Sequence, residues 1–278
     1  MIYSQTFSNT LNSRLGAIGL ISRIIMKITR RFHLLKFFLL FCPGPHESTI
    51  EAYKKAHVKG FRVLLCAARL TKDVQFVCSH DDDISNIVYC KDLSGKKKIS
   101  LTDLAELEHA RFFTNSLKRG KGLLSLDAFL DFCDKNKLMA EIEIKDFLTH
   151  DLITKLQDIV KKHHMESRVI LHRNQGEPEM MKELGFAFPN ALLSRTANNL
   201  TAMEEMMHLQ VPCQKMVTIT NYNGRLPETL KKSNLEKLNA AKIGVIFSEV
   251  KNRQDKKQVS IIQPYLSFIA TRFIKIGE

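Results

Sequence analysis

Short apolar runs alternate with longer amphipathic segments along most of the chain, and this alternation restricts the possible folds more than any other feature. Short apolar runs are typical of buried strands, and longer amphipathic segments are typical of helices that cover a sheet. The predicted strands are 34–42, 61–68, 74–79, 138–145, 168–171, 191–194, 215–220 and 243–248. The predicted helices are 48–59, 125–135, 151–163, 178–184, 201–209, 227–241 and 261–273. Eight strands, nearly all followed by helices, predict an α/β fold whose parallel sheet closes into a (β/α)8 TIM barrel.

One connection is much longer than the others. Between His80 and Leu124 the chain is polar, with the sequence SGKKK at 94–98 and a helix-like stretch at 101–110. Long insertions in barrels usually follow the carboxyl ends of strands, where active sites are built. We therefore expect an insertion after the third strand, and we interpret its lysine run as a solvated turn.

The formal charge of +13 is spread unevenly. Residues 1–46 contain no Asp or Glu, and their cationic residues are Arg14, Arg23, Lys27, Arg30, Arg31 and Lys36. Within residues 1–33, apolar side chains fall on one side of a helical wheel and most cations on the other. This predicts a basic amphipathic extension before a barrel at 34–278, and it fits a membrane surface, a mitochondrial transit peptide or a helix packed on the domain. Charges interrupt every apolar run before about 18 residues, so we expect no transmembrane span.

Composition narrows the function further. An apolar content of 44% in 278 residues is enough for a substantial core. The six cysteines include no C-x-x-C pair, so we expect neither a zinc site nor a disulfide framework, and we favour a reducing, intracellular compartment. No Gly-rich phosphate loop or repeat is visible, and we expect no nucleic-acid partner.

Charged residues stand at the ends of two predicted strands. His80 and Asp81 end the third strand. Glu141, Glu143 and Lys145 alternate along the fourth and therefore project to one face. A strand that reads AEIEIKD cannot have both faces in an apolar core, so His80, Glu143 and Lys145 are candidates for one site at the barrel mouth. The alternative is an exposed edge strand, with the aspartates after His80 capping a helix.

A further cationic pair, His172 and Arg173, ends the fifth predicted strand. In a barrel this position points towards the same mouth. The pair either contacts an anion there or forms a salt bridge at the start of a loop.

Three stretches carry a resemblance to a known family: HESTIEAYKKAHVKGF, LTKDVQFVCSHDDDIS and MAEIEIKD. In this order they resemble the glycerophosphodiester phosphodiesterases, which are (β/α)8 barrels with signatures that include Thr-Lys-Asp-Gly, His-Asp and Glu-Ile-Lys. The resemblance implies that His80 is the second catalytic histidine, the proton donor to the leaving oxygen. It also implies that Glu143 binds a divalent cation, Mg²⁺ or Ca²⁺, and that Lys145 contacts the phosphate. A cation and a lysine would together neutralise the charge that develops on phosphoryl oxygens.

The sequence also departs from the family pattern. The family's metal-binding Glu and Asp fall at Leu65 and Ala67, and its His-Arg-Gly stretch falls at 37–39, which reads Phe-Phe-Leu. Aliphatic side chains cannot ligate Mg²⁺ or Ca²⁺. Loss of one histidine of an acid–base pair costs a factor on the order of 10² to 10⁴ in rate. We therefore predict a barrel with little or no phosphodiesterase activity that serves as a membrane-associated binding module.

For such a module we expect no cofactor. We expect its ligand to be an anionic membrane surface or a phospholipid head group, with an acidic protein as the alternative partner. The alternative is an active, diverged phosphodiesterase that cleaves glycerophosphodiesters or lysophospholipids with substitute ligands for a divalent cation. The residues that would supply the substitute groups are His46, Glu47, Asp81, Asp82 and Glu141.

Overall fold

The computed structural model of the chain describes residues 2–4, 36–38, 48–85, 87–88, 90–111, 122–175, 177–220, 228–248 and 268–269. The strands in these residues are β1 (Ile2–Ser4), β2 (Lys36–Phe38), β3 (Val63–Leu70), β4 (Phe76–Cys78), β5 (Met139–Ile144), β6 (Val169–Arg173), β7 (Leu192–Thr196), β8 (Gln214–Thr220), β9 (Gly244–Ser248) and β10 (Phe268–Ile269). The helices are α1 (Ile50–Val58), α2 (Leu104–His109), α3 (Leu126–Lys135), α4 (His150–Lys162), α5 (Pro178–Ala187), α6 (Leu200–His208) and α7 (Lys232–Ala240).

The main sheet is parallel from β3 through β5, β6, β7, β8 and β9 to β10. β1 and β2 form a separate antiparallel ribbon, in which β2 lies beside β3 and β1 lies beside β10. The ribbon therefore lies between the two ends of the sheet, and the strands form a ring. This arrangement, with helices between successive parallel strands from β3 to β9, confirms the predicted α/β barrel.

The third predicted strand exists, but it breaks the expected parallel pattern. β4 pairs antiparallel with β3, with Ala68 opposite Cys78. The chain reverses at a turn in which the Thr71 N–H donates to the Gln75 carbonyl and the Thr71 hydroxyl donates to Asp73. A parallel pair needs a crossover of a dozen or more residues, so the short connection between these strands permits only a hairpin.

The chain ends also differ from the prediction. β2 is shorter than the predicted strand 34–42, and β10 lies inside the predicted helix 261–273, because periodicity does not separate helix from strand in short apolar runs. β1 lies inside the predicted amphipathic segment 1–33. The remaining residues of these three segments lie outside the described ranges.

Side-chain caps fix where several helices begin. Thr49, Ser125 and Asn199 each accept a hydrogen bond from the backbone N–H three residues further on. Two helices do not begin at their predicted first residues: Ser48 precedes the cap of α1 with a φ of 67°, and Thr201 lies inside α6, which begins at Leu200. In both helices the cap is instead a nearby residue with extended backbone, because a capping residue needs that conformation.

The predicted insertion after the third strand packs around its own apolar core. The residues of this core are Val77, Ile84, Val88, Leu93, Ile99, Leu107, Ala110 and Leu123. Two bonds attach the insertion to the β3–β4 hairpin: the Lys72 N–H donates to the Thr102 carbonyl, and the Leu104 N–H donates to Asp73. The described part of the insertion therefore packs on the barrel mouth, and its predicted helix 101–110 is the shorter α2.

Candidate active site

The strands β5 to β8 place polar side chains inside the barrel. Ile142, Leu171 and their alternate neighbours pack outwards in the main apolar core, so the other set of positions faces the interior. On β5 this interior set includes Glu141 and Glu143, which are 3% and 6% exposed. His172 on β6 is 4% exposed. Aliphatic side chains usually fill a barrel, so these buried polar groups need partners within it.

Glu143 and Lys145 form a buried ion pair. Lys145 Nζ donates to Glu143 Oε1 at 2.6 Å, and Asn174 Nδ2 donates to the same oxygen. The lysine and glutamate side chains are 13% and 7% exposed. The ammonium thus compensates a carboxylate that would be costly to bury alone. The alternative of an exposed edge strand is wrong, because β5 lies between β3 and β6.

His172 lies at the centre of a second polar network. Its Nε2 is 3.1 Å from Asn174 Oδ1, and its Nδ1 is 3.3 Å from the hydroxyl oxygens of both Ser194 and Thr218. The Asn174 amide nitrogen donates to Glu143, so its oxygen is the acceptor that faces His172 Nε2. The Thr196 hydroxyl donates to the same oxygen at 2.8 Å and lies 3.2 Å from Nε2. Glu141 Oε1 lies 3.8 Å from Nδ1, beyond hydrogen-bond distance.

Arg173 points to the other side of the sheet. Its Nη1 donates to the carbonyls of Ile144 at 3.3 Å and Asp146 at 2.5 Å. Burial lowers the pKa of this guanidinium from its ordinary value. Of the two predicted residues at this strand end, only His172 therefore faces the interior, and Arg173 links the ends of β5 and β6.

His80 is held at the mouth through its backbone. Its carbonyl accepts hydrogen bonds from Arg69 Nε and Nη2, both at 3.1 Å. Arg69 Nη1 also pairs with Asp146 at 3.1 Å, beyond the end of β5. The His80 ring is 2.8 Å from Asp81, and the side chain is 41% exposed. The structure thus brings Glu143 and Lys145 together and pairs the third candidate, His80, with its own neighbour.

The aspartates after His80 hold the insertion: Asp82 bonds the 3-10 helix Ile99–Leu101, and none of the three caps an α-helix. Asp82 accepts the Ser100 N–H at 3.0 Å and its hydroxyl at 3.1 Å. Asp83 accepts the Ser85 N–H at 2.8 Å, and the hydrogen bonds from Ser85 lower the pKa of Asp83. Among the proposed substitute ligands, Asp82 therefore already accepts hydrogen bonds within the insertion. His46 and Glu47 lie outside the described residues.

Sequence reasoning missed four residues of the site: Asn174, Ser194, Thr196 and Thr218. The available signal was weak, because Ser and Thr in strands are common and Asn after a strand is typical of a turn. Only the register shows that these side chains converge on His172 and Glu143.

Comparison with known proteins decides the family. The glycerophosphoryl diester phosphodiesterase family matches residues 36–266. The chain belongs to this family. No curated protein matches the chain significantly.

Solved structures of family members share the fold. A glycerophosphodiester phosphodiesterase from Agrobacterium tumefaciens is 15% identical with a TM-score of 0.64, over 85% of this chain and 95% of that one. One from Parabacteroides distasonis is 17% identical with a TM-score of 0.64, over 85% and 92%. A phosphodiesterase from Oleispira antarctica, in complex with its product sn-glycerol-3-phosphate, is 16% identical with a TM-score of 0.63, over 85% and 92%.

The divalent cation that the family resemblance implies does not fit the residues present. Leu65 pairs with Glu141 and Ala67 with Glu143 in the β3–β5 register, so two hydrocarbon side chains lie beside the glutamates at the positions where the resemblance leads us to expect carboxylates. Glu143 is already paired with Lys145. Within the described ranges, no three His, Cys, Asp or Glu side chains are arranged to hold a metal ion. Mg²⁺ and Ca²⁺ need several oxygen donors, and the described residues on this side of the barrel do not supply them.

Proposed function

We propose that this family member does not hydrolyse phosphodiesters and instead serves as a binding module at anionic intracellular membranes. The observation that supports the first part is the register of β3 against β5, in which Leu65 and Ala67 flank the two interior glutamates. Without a cation, the barrel has no strong counter-charge for the phosphoryl oxygens of a transition state.

Lys145 keeps the charge of the barrel interior balanced. Its ammonium lies 2.6 Å from the carboxylate of Glu143. Because the family signature Glu-Ile-Lys contains the same pair, the pair supports an intact interior, and the proposed loss of chemistry rests on Leu65 and Ala67.

The membrane part of the proposal is supported by charge. The chain carries +13, and residues 1–46 contain cations without a single carboxylate. A lysine or arginine near an anionic surface contributes about 1 kcal/mol, so a cluster of six is enough to hold a protein there at low salt. No helix within the described residues is long and apolar enough to cross a membrane.

Thermal unfolding with and without divalent cations tests the loss of the metal site. Because a ligand that binds only the folded state raises Tm by mass action, an intact site would make Tm rise with Mg²⁺ or Ca²⁺ and fall back with chelator. We expect the same Tm in all three conditions. A saturable rise with either cation would overturn the proposal.

The membrane role is tested with a variant of the basic extension in the full-length chain. We expect Arg23→Gln, Arg30→Gln and Arg31→Gln together to weaken sedimentation with phosphatidylserine vesicles. Unchanged binding would show that the extension is not the contact.

A further inference from the structure

The end of the barrel opposite the mouth has an unusual surface. Every strand from β3 to β9 except β4 begins at the same edge of the sheet, because these strands are parallel and in close register. The helix-to-strand connections therefore meet on one face, which we call the amino face. With the last turn of each preceding helix, it comprises residues 55–62, 132–138, 159–168, 184–191, 208–213 and 237–243.

The amino face is strongly basic. Its only acidic residues are Asp134 and Glu166, whereas its ten cationic residues are Lys55, Lys59, Arg62, Lys135, Lys137, Lys161, Lys162, Arg168, Lys237 and Lys242. All of these cations except Arg168 are exposed. Two carboxylates on α3 pair with this group, Asp127 with Lys162 and Asp131 with Lys135, and the face remains positive when both are included.

The described loops at the mouth are close to balanced. Residues 71–85, 90–111, 145–149, 173–175, 177 and 196–199 contain eight lysines and arginines and ten acidic residues. Within the described residues, the excess positive charge therefore lies on the amino face, to which an anionic surface is attracted. A single cation in the last turn suffices to compensate a helix dipole, so dipole compensation alone does not account for ten.

Basic residues, two of them lysines, also occupy backbone positions of the amino face that suit glycine. Four helices end with a residue in the left-handed region directly after the cap, and only the first of these residues is glycine, Gly60 with a φ of 87°. The other three are Lys137, His164 and Lys242, with φ of 54°, 51° and 57°. Non-glycine residues are strained in this region. The chain thus retains basic side chains at a conformational cost.

Apolar side chains complete the face. Val58 in the last turn of α1 is 85% exposed, and Phe186 in the last turn of α5 is 58% exposed. Exposed apolar groups surrounded by lysines are typical of a surface that lies on a lipid bilayer, where apolar side chains enter the headgroup region and the cations contact phosphates. A nucleic acid offers no such environment to a valine at a helix end.

We propose that the amino face docks on anionic lipid bilayers. This inference rests on the proposed membrane role and assigns to the barrel itself a contact that the basic extension alone would not make. Docking in this orientation turns the mouth, with His172 and the Glu143–Lys145 pair, away from the bilayer and towards soluble partners. A membrane lipid in the same bilayer would then be out of reach of the mouth.

The left-handed positions allow a test that spares the fold. In the full-length chain, Lys59→Gln, Lys137→Gly and Lys242→Gly remove three charges from the amino face, and both glycines suit their φ values. The matched control removes three exposed charges near the mouth, Lys91→Gln, Lys97→Gln and Lys98→Gln. The measurement is partitioning onto phosphatidylcholine vesicles with and without phosphatidylserine at low ionic strength.

We expect the amino-face variant to bind the anionic vesicles about a hundredfold more weakly, since each lysine contributes about 1 kcal/mol and 1.4 kcal/mol is tenfold. The mouth variant should bind like the wild type. Equal binding of both variants and the wild type would overturn the inference. A preference for duplex DNA over anionic vesicles would also overturn the inference if the amino-face variant loses that preference.

The variant of the basic extension separates this inference from the proposed function. If only the extension variant loses binding, the membrane role stands and docking by the amino face is wrong. If only the amino-face variant loses binding, the barrel provides the contact and the extension does not.

Discussion

At the scale of single residues, the proposed loss of the metal site rests on Leu65 and Ala67. They pair in register with Glu141 and Glu143 and add hydrocarbon where a hard cation needs oxygen. Lys145 fills part of the same electrostatic role with a fixed ammonium. In the proposed function, the loss of a metal site therefore depends on a few side chains on two adjacent strands.

Carboxylates at these two positions should create a cation site. We expect Leu65→Glu with Ala67→Asp to lower Tm in chelator, because four carboxylates then repel each other inside the barrel. Calcium should restore Tm, since binding to the folded state at 100 times Kd contributes about 2.7 kcal/mol. Differential scanning calorimetry measures both effects.

The control for that experiment places the same charges at exposed positions, Asn190→Glu and Asn239→Asp. It should show no calcium dependence. A calcium response in the wild type, or none in the Leu65 and Ala67 double variant, would contradict the assignment of these residues.

Val74 offers a test of backbone strain. It has a φ of 57° and is 48% exposed in the β3–β4 turn, where the family signature has Gly. We expect Val74→Gly to raise the free energy of unfolding by about 0.5–1 kcal/mol, because glycine adopts this conformation without steric cost. Urea denaturation measures the change.

Val58→Gly is the matched control, because Val58 is also exposed but helical. Glycine is unfavourable in a helix, so this substitution should destabilise the chain. A change of stability in the same direction for both substitutions would contradict backbone strain at Val74.

At the scale of secondary-structure elements, an acidic residue joins α3 to the start of β6. Asp134 accepts hydrogen bonds from Arg168 and Lys137, which lower its pKa below the ordinary value of 3.8. A carboxyl whose pKa is lower in the folded state stabilises the fold at pH above its unfolded value and loses this effect as pH falls through the folded value.

We therefore expect Asp134→Asn to lower stability by roughly 0.5–1 kcal/mol at neutral pH, a modest value because the ion pairs are partly exposed. The difference from the wild type should shrink below pH 4 and vanish in stronger acid. Asp131→Asn, which removes an exposed pair with Lys135, should have little effect at any pH. Urea denaturation across this pH range would contradict the account if the two variants behaved alike.

The elements also show what the sequence could and could not predict. The alternation of apolar and amphipathic runs was sufficient for the barrel, because a parallel sheet buries both faces of its strands and leaves continuous apolar runs. The direction of β4 was not predictable from its own residues, since a short apolar run has the same pattern in a parallel and in an antiparallel strand. The Thr71 to Gln75 turn decides it.

The candidate site was predictable only on β5, where charged residues alternate along a single strand. Glu141, Glu143 and Lys145 stand out because three charges alternate in a buried strand. Their partners lie on other strands, and Asn174, Ser194 and Thr218 become neighbours only through the register. The position of the His80 ring depends on Asp81 and the hairpin, and spacing in the sequence does not encode it.

At the scale of the whole molecule, the barrel has two ends with different chemistry. The mouth contains a polar network, and cationic and acidic residues nearly balance in its described loops, whereas the opposite end presents exposed lysines and apolar side chains. A phosphodiesterase that acts on membrane lipids would need its mouth at the bilayer. The distribution of charge in the described residues favours the reverse orientation, which agrees with the proposed non-catalytic module.

Hydrolysis by the purified full-length chain tests this account most directly. The assay offers a panel of glycerophosphodiesters and lysophospholipids with Mg²⁺, Ca²⁺ or chelator, beside a His80→Ala variant. We predict no turnover above that of the variant in any condition. Turnover that requires both a divalent cation and His80 would contradict the account, because other ligands would then have rebuilt the site around Leu65 and Ala67.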